Sequence, residues 1–279
     1  MQEQRNSNEE VSMGTTIIAL GYKDGVIVGA DTRTSASGYV SNRFANKLTF
    51  VLDPSMDHYI HPYQEEEDDT NIDDDSSVLG STCCICRSGS AADTQYLADA
   101  VRMDLISRQL LVGNHNGNTV TTVANLLKQR MNGDDDFQAS LICAGYDHLK
   151  NCGVIYSIMP GGTCMEETSS WAISGSGSTY IHGFLSDALH THKDDLGETD
   201  AIPLVTKALQ LAMNQDGSSG GFIRIYVINR YGKREIILPH TTRTPKITNT
   251  ANDDTNSKKN NAKLFAPAIR HDQKPQTQK

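Results

Sequence analysis

Apolar positions in this chain fall into short blocks separated by polar, Gly-containing punctuation, and the spacing inside the blocks switches between two periods. Residues 16–21 (TIIALG) and 26–31 (VIVGAD) are dense in β-branched and apolar side chains. They are split by Tyr22-Lys23-Asp24-Gly25, whose Asp-Gly pair predicts a hairpin. A Ser-, Thr- and Gly-rich stretch over 32–41 reads as a loop, 47–52 (KLTFVL) as a third strand, and an apolar run resumes at 83–86. From Ser88 onward the period lengthens: Ala92, Leu97, Ala100, Val101, Met103, Leu105, Ile106 and Leu110 recur at helical spacing and predict a long amphipathic helix. His115-Asn116-Gly117-Asn118 breaks it, and 119–131 forms a second helix stopped by Asn132-Gly133. Strand spacing returns at 140–146, 153–159 and 171–174, followed by helices over about 179–189 and 201–214. A last hairpin, 222–229 with 234–238, turns at Tyr231-Gly232.

The order is strands, two helices, strands, two helices, strands. Strands grouped in hairpins rather than alternating singly with helices argue for antiparallel sheets, and paired helices between the groups suggest sheets stacked face to face with helices outside. The expectation is an α+β fold in one domain of about 225 residues, within the ordinary size range of a single core.

Composition narrows the function. In 279 residues, 37% are AVILMFWYC, enough for a sizeable core, and no window approaches the ~18 apolar residues a membrane span needs. Residues 1–10 are polar and acidic, unlike a secretory signal. The net charge of −9 argues against a nucleic-acid or membrane-surface partner. Nine acids lie between Asp57 and Asp75 with no Lys or Arg, marking an acidic insertion at about 54–80. The tail over 241–279 carries eight Lys/Arg against three Asp and few large apolar residues, and is expected to be disordered or an arm. Six cysteines, Cys83, Cys84, Cys86, Cys143, Cys152 and Cys164, read as free and mostly buried thiols. Neither their spacing, nor His190-x-His192, nor Asp73-Asp74-Asp75 makes a metal site, and no metal or cofactor is expected.

Two nucleophile motifs compete. Gly217-Ser218-Ser219-Gly220-Gly221 satisfies G-x-S-x-G, but a nucleophile elbow needs a strand before the Ser and a helix after it, and here a helix precedes and a strand follows. A Ser hydrolase using Ser219 is therefore a remote alternative. Gly14-Thr15-Thr16 heads the first strand behind a 14-residue leader, 1–14, and Asp31 and Lys47 are read as falling where strands two and three terminate. Cleavage after Gly14 would give Thr15 a hydroxyl and an α-amine together; the amine, with an ordinary pKa of about 7.7–8.0, is a suitable base at neutral pH. A nearby Lys47 would favour the deprotonated hydroxyl, and Asp31 would position Lys47.

Several blocks together carry a family resemblance: Gly14-Thr15-Thr16, Lys23-Asp24-Gly25-Val26, Gly29-Ala30-Asp31-Thr32-Arg33-Thr34, Asn46-Lys47-Leu48, Arg87-Ser88-Gly89-Ser90-Ala91-Ala92-Asp93-Thr94-Gln95, Ala144-Gly145-Tyr146-Asp147, Ser174-Gly175-Ser176-Gly177-Ser178 and Asp216-Gly217-Ser218-Ser219-Gly220-Gly221. In this order they resemble the catalytic β subunits of the eukaryotic 20S proteasome, over about residues 14–239, and the run around Arg87 is similar to that of the β1 (caspase-like) subunit.

The resemblance implies the N-terminal nucleophile hydrolase fold, a four-layer α-β-β-α sandwich with two stacked antiparallel sheets. It implies Thr15 as nucleophile, released at the Gly14-Thr15 junction when the propeptide 1–14 is removed, with Asp31 and Lys47 as charge partners. Ser176, Asp216 and Ser219 would surround the Thr15 amine, and the Gly89 N–H would be the oxyanion donor. Arg87, with Thr34, Ala45 and Ala91, would line the pocket for the side chain before the cut, where a guanidinium suits a Glu or Asp carboxylate. The implied partners are other β subunits in a seven-membered ring, the α-subunit ring, the opposite β ring and unfolded polypeptide substrate, in cytoplasm and nucleus, within ubiquitin-dependent degradation. A non-catalytic ring subunit of the same fold is the other reading.

Overall fold

A computed structural model describes residues 14–36, 39–54, 80–112, 118–132, 137–191 and 196–240. The leader 1–13, the acidic insertion from 55 to 79, His192 and the tail 241–279 lie outside the described residues. In chain order the elements are β1 (Ile17–Tyr22), β2 (Gly25–Asp31), β3 (Thr34–Ala36), β4 (Tyr39–Asn42), β5 (Leu48–Leu52), β6 (Thr82–Gly89), α1 (Ala91–Val112), α2 (Val120–Met131), β7 (Ala139–Asp147), β8 (Cys152–Ile158), β9 (Cys164–Glu166), β10 (Trp171–Ser174), α3 (Ser178–Thr191), α4 (Glu198–Gln215), β11 (Phe222–Asn229) and β12 (Gly232–Pro239).

Two antiparallel five-stranded sheets result, ordered β10-β1-β2-β11-β12 and β5-β6-β7-β8-β9, with β3-β4 as a separate hairpin. The side-chain period of two then sorts each strand between two cores. Ile17 and Ala19 of β1 and Val26, Val28 and Ala30 of β2 meet Cys84 and Cys86 of β6 and Ile142 and Ala144 of β7 between the sheets. Ile18, Leu20 and Ile27 point the other way, into Ile181, Leu185, Val205 and Leu209 of α3 and α4. On the far side, Cys83, Ile85, Leu141 and Cys143 pack on Leu97, Val101, Leu105, Val123 and Leu127 of α1 and α2. Three cores between four layers make the α-β-β-α sandwich. The central strands are apolar on both faces because both faces are covered, which is why 16–21 and 26–31 read as continuous runs rather than alternating ones.

Local chemistry adjusts several expected boundaries. The first hairpin pairs Tyr22 with Gly25, so Lys23-Asp24 form the turn and Gly25 already belongs to β2. The last pairs Asn229 with Gly232, which puts its turn at Arg230-Tyr231. Residues 32–41 are not all loop, since β3 and β4 pair there, and the three-residue β9 edges the second sheet. The helix expected from Ser88 starts later: β6 continues through Gly89, whose φ of +108° ends the strand, and the Ser90 side chain accepts the Asp93 N–H at 3.3 Å as the cap of α1. Helix α1 is less amphipathic than expected, since Met103 and Leu110 lie on its open face, 61% and 67% exposed. All six cysteines are free, and Cys152 is exposed rather than buried.

Register brings one end of both sheets together. Ile17 lies between Ala30 and Ser174, and Asp31, the last residue of β2, pairs with Ile223 near the start of β11. Arg87, two residues before the end of β6, pairs with Leu141 of β7, and its N–H donates to the Lys47 carbonyl at 2.8 Å. The start of β1, the end of β2, the approach to β5, the end of β6 and the loops flanking α3 and β11 thus meet at one rim.

Candidate active site

Asp31 organises this rim. Its side chain has no solvent exposure, and a buried carboxylate must be fully partnered to be tolerated. Oδ1 accepts from Lys47 Nζ at 2.7 Å and from the Thr16 N–H at 2.9 Å. Oδ2 accepts from the Gly220 N–H at 2.9 Å and the Arg33 N–H at 3.2 Å. One carboxylate therefore ties the first strand, the lysine and the loop before β11 into one frame.

Lys47 is 8% exposed. Burial pushes its ammonium below the ordinary 10.5, and the Asp31 charge and hydrogen bond act against that fall. Its Nζ also donates to the carbonyl oxygen of Gly14 at 3.3 Å. The same oxygen accepts from Thr15 Oγ1 at 2.8 Å. The Gly14–Thr15 peptide thus presents its carbonyl to a cation and to the hydroxyl of its own following residue.

The nitrogen of Thr15 faces a second group. It donates to Ser176 Oγ at 3.2 Å. Ser176 Oγ in turn donates to Asp216 Oδ2 at 2.6 Å, and Ser219 Oγ donates to the same oxygen at 2.6 Å. Burial alone would raise the Asp216 carboxyl, but the hydrogen bonds from both serine hydroxyls and from the Ser218 and Ser219 backbone outweigh it and hold the group below the ordinary 3.8. A carboxyl lowered on folding contributes stability above its unfolded pKa and loses that contribution as pH falls through its folded one. Replacing Asp216 with Asn is therefore expected to destabilise the chain by about 2 kcal/mol at pH 6, the scale of hydrogen bonds to a charged group. The gap to wild type should narrow below about pH 4, as followed by urea unfolding of the assembled protein at both pH values.

The structure thus brings together Lys47 with Asp31 and Thr15 with Ser176, Asp216 and Ser219, and the two groups meet at the Gly14 carbonyl, which accepts from Lys47 and from Thr15. Gly89 directly follows Ser88 at the end of β6. The neighbouring Ser88 Oγ lies 3.1 Å from where Gly175 would carry a Cβ, and that same position is 2.1 Å from the Thr15 carbonyl oxygen. Arg87 is half-buried. One of its terminal nitrogens donates to the Asn46 carbonyl at 2.5 Å, while its Nε is buried with no hydrogen-bond partner among the described residues. Burial lowers the Arg87 guanidinium, partly offset by the Asp99 charge, yet a guanidinium stays protonated under these conditions. Thr34 opens β3, Ala91 opens α1, and Ala45 donates its N–H to the Thr32 carbonyl at 2.9 Å. Ser219 is 1% exposed and sits after α4 and before β11, the reverse of a nucleophile elbow.

Sequence reasoning gave neither the Thr16 hydroxyl nor Gly177 a part in the site. Thr16 Oγ1 and Ser219 Oγ are 2.8 Å apart, and a Cβ on Gly177 would fall 2.0 Å from that Thr16 oxygen. The available signal was the Ser-Gly-Ser-Gly-Ser run at 174–178, where alternate glycines mark places that side chains cannot enter.

A four-layer sandwich with a threonine at the head of β1 defines the N-terminal nucleophile hydrolase class of fold. The family described as "Proteasome subunit" matches residues 11–56 and 74–228, and the chain belongs to that family, among its β subunits. It is 38% identical over 229 residues to proteasome subunit beta type-6 of Arabidopsis thaliana, covering 82% of this chain and 83% of that one. It is 35% identical over 230 residues to proteasome subunit beta type-1 of Saccharomyces cerevisiae, covering 82% and 90%. A probable proteasome subunit beta type-1 of Schizosaccharomyces pombe is 36% identical over 236 residues, covering 85% and 89%. The family match leaves out 57–73, inside the acidic stretch. Membership implies assembly with other subunits into the core particle. No helix among the described residues is long and apolar enough to cross a membrane.

Proposed function

We propose that this chain is a threonine endopeptidase subunit of the 20S core particle, made active by self-cleavage at Gly14–Thr15 and directed to bonds after Glu and Asp. The observation that carries the reading is the Gly14 carbonyl, held at 3.3 Å by Lys47 Nζ and at 2.8 Å by Thr15 Oγ1. In self-cleavage the Thr15 Oγ1 attacks the Gly14 carbonyl carbon. The new C–O bond replaces the C–N bond, the hydroxyl proton passes to the Thr15 nitrogen, and the lysine stabilises the oxyanion. Water then hydrolyses the ester, releasing the leader with a carboxylate and leaving Thr15 with hydroxyl and amine. The same groups then act on substrate: the free amine takes the Oγ1 proton as the hydroxyl attacks, and Gly89 N–H receives the oxyanion. Until the amine is free it has no basic lone pair, so the leader keeps the subunit inert. The particle would take unfolded polypeptide between its rings, in cytoplasm and nucleus.

Labelling with a threonine-directed peptide electrophile, followed by mapping, tests the chemistry: the adduct is expected on Thr15, and labelling of Ser219 instead would contradict the reading. Specificity rests on the Arg87 guanidinium, whose buried Nε has no hydrogen-bond partner among the described residues. Arg87→Ala is expected to lower kcat/KM for a peptide with Glu before the cut by about 10- to 100-fold, the range of a charge-assisted hydrogen bond, and to leave removal of the leader intact. An unchanged ratio of Glu- to Leu-directed cleavage in the particle would remove Arg87 from the pocket.

A further inference from the structure

We infer that Thr16 is a positioning residue, its buried hydroxyl donating through Ser219 toward the Asp216 carboxylate that holds Ser176 as the acceptor of the Thr15 nitrogen. The inference rests on the reading of Thr15 as an N-terminal nucleophile. Its starting point is a proton count. Asp216 Oδ2 accepts from both Ser176 Oγ and Ser219 Oγ at 2.6 Å, so each serine has committed its single proton to the carboxylate. Ser219 Oγ can then only accept from Thr16 Oγ1, 2.8 Å away, and Thr16 must donate. Ser176 Oγ also lies 3.5 Å from the Thr15 carbonyl, but with its proton on the 2.6 Å bond to Asp216 it accepts from the Thr15 nitrogen at 3.2 Å. The chain therefore runs inward to Asp216 from both ends, from Thr16 through Ser219 and from Thr15 through Ser176.

The consequence concerns the amine. With Ser176 fixed as an acceptor, it takes an N–H of Thr15 and leaves the amine lone pair free for the Thr15 hydroxyl. Thr16 keeps this arrangement by feeding a proton into the Asp216 side of the chain, which spreads the carboxylate charge over more donors. Thr16 has no solvent exposure, so water cannot substitute for it. Its hydroxyl also has a fitted seat, since a side chain on Gly177 would collide with it at 2.0 Å and reach Ser219 Oγ at 3.2 Å. The charged groups bearing on the network are Asp31 at the end of β2, Arg33 after it, Lys47 before β5 and Asp216 after α4. Of these, only Asp216 is reached through the Thr16 hydroxyl. The Thr16 backbone N–H serves Asp31, and a side-chain exchange leaves that bond in place.

Removing the hydroxyl leaves a barer carboxylate near the Thr15 ammonium, which favours the protonated, inactive amine. In the assembled particle, with the leader replaced by a ubiquitin moiety so that cellular hydrolases free Thr15 independently of self-cleavage, Thr16→Val is expected to slow Thr15 labelling by a peptide epoxyketone at pH 7 by about fivefold, the factor of one hydrogen bond. The acid limb of the labelling rate should move to higher pH. Thr16→Ser, which keeps the hydroxyl, should restore both. A wild-type profile in Thr16→Val would overturn the inference, as would equal impairment of the Val and Ser variants, which would assign the effect to packing. Thr16→Ala is the second hydroxyl-free variant and is expected to shift the same limb; failure of both Val and Ala variants to assemble would make Thr16 a folding residue and also overturn it. Absence of labelling in the wild-type particle would instead overturn the nucleophile reading itself.

Discussion

Replacing Lys47 with Ala is expected to leave the leader attached and to abolish cleavage, lowering activity by at least about 10³-fold, the upper range for loss of one preorganised oxyanion donor. Chemically, Nζ is the cation on the Gly14 carbonyl, and no other side-chain cation donates to that oxygen among the described contacts. Structurally, its loss leaves the fully buried Asp31 without its counter-ion, a change that costs about 3–5 kcal/mol in buried pairs. Asp31 retains three backbone N–H donors, from Thr16, Arg33 and Gly220, so the lower end of that range is expected and the chain should still fold. Lys47→Arg should fail as well, because a planar guanidinium cannot occupy the space of an ammonium that serves both Asp31 and Gly14 at 8% exposure. Immunoblotting for the leader and peptide hydrolysis by the variant particle check both statements. A Lys47→Ala subunit that matures and cleaves at the wild-type rate would remove lysine from the chemistry.

Gly89→Ala is expected to be nearly as damaging, by a different route. Gly89 has φ of +108°, a conformation that costs a side-chain-bearing residue about 1–3 kcal/mol. Its Cβ would also lie 2.2 Å from the Gln138 carbonyl oxygen. That carbonyl is backbone and accepts the Ser90 N–H at 2.7 Å, so it cannot retreat without breaking its bond to the residue that caps α1. The end of β6 must move, taking with it the N–H proposed to receive the oxyanion. A fall of about 10²-fold in hydrolysis and reduced assembly are the expected outcome. Gly183→Ala is the matched control. Gly183 lies within α3, and a Cβ there meets nothing within 4 Å, so the exchange should be neutral or stabilise by up to about 1 kcal/mol. Thermal unfolding and activity of both variants separate strain at one glycine from a general intolerance of glycine loss.

The fold was readable where punctuation was strong. Gly, Asn-Gly and Gly-Gly bounded the long strands and helices, and apolar runs buried on two faces announced themselves without alternation. Trp171–Ser174 and Phe222–Asn229 stand at the expected residues. The β3–β4 hairpin was hidden because its strands are short, and β4 is exposed throughout, so burial imposed no pattern on Tyr39–Asn42. The start of α1 was misplaced because helical spacing cannot report a positive φ at Gly89 or a cap at Ser90.

The site was legible in a different way. Thr15 and Ser176 are 161 residues apart, and Thr16 and Ser219 are 203 apart; no local spacing encodes such contacts. Asp31 and Lys47 could be suspected because strand ends share a rim, and the serines entered only through resemblance to a family. Thr16 escaped because its neighbour offered the more reactive group, and because a threonine leading into a buried strand is ordinary until its hydroxyl is found with a serine partner.

The most direct measurement is the intact mass of this chain isolated from particles assembled in its native cell. A mass beginning at Thr15 is expected, since Thr15 Oγ1 and Lys47 Nζ already converge on the Gly14 carbonyl. A mass that retains residues 1–14 in the assembled particle would contradict the account. Thr15 would then carry no free amine, and the subunit would be a structural member of its ring.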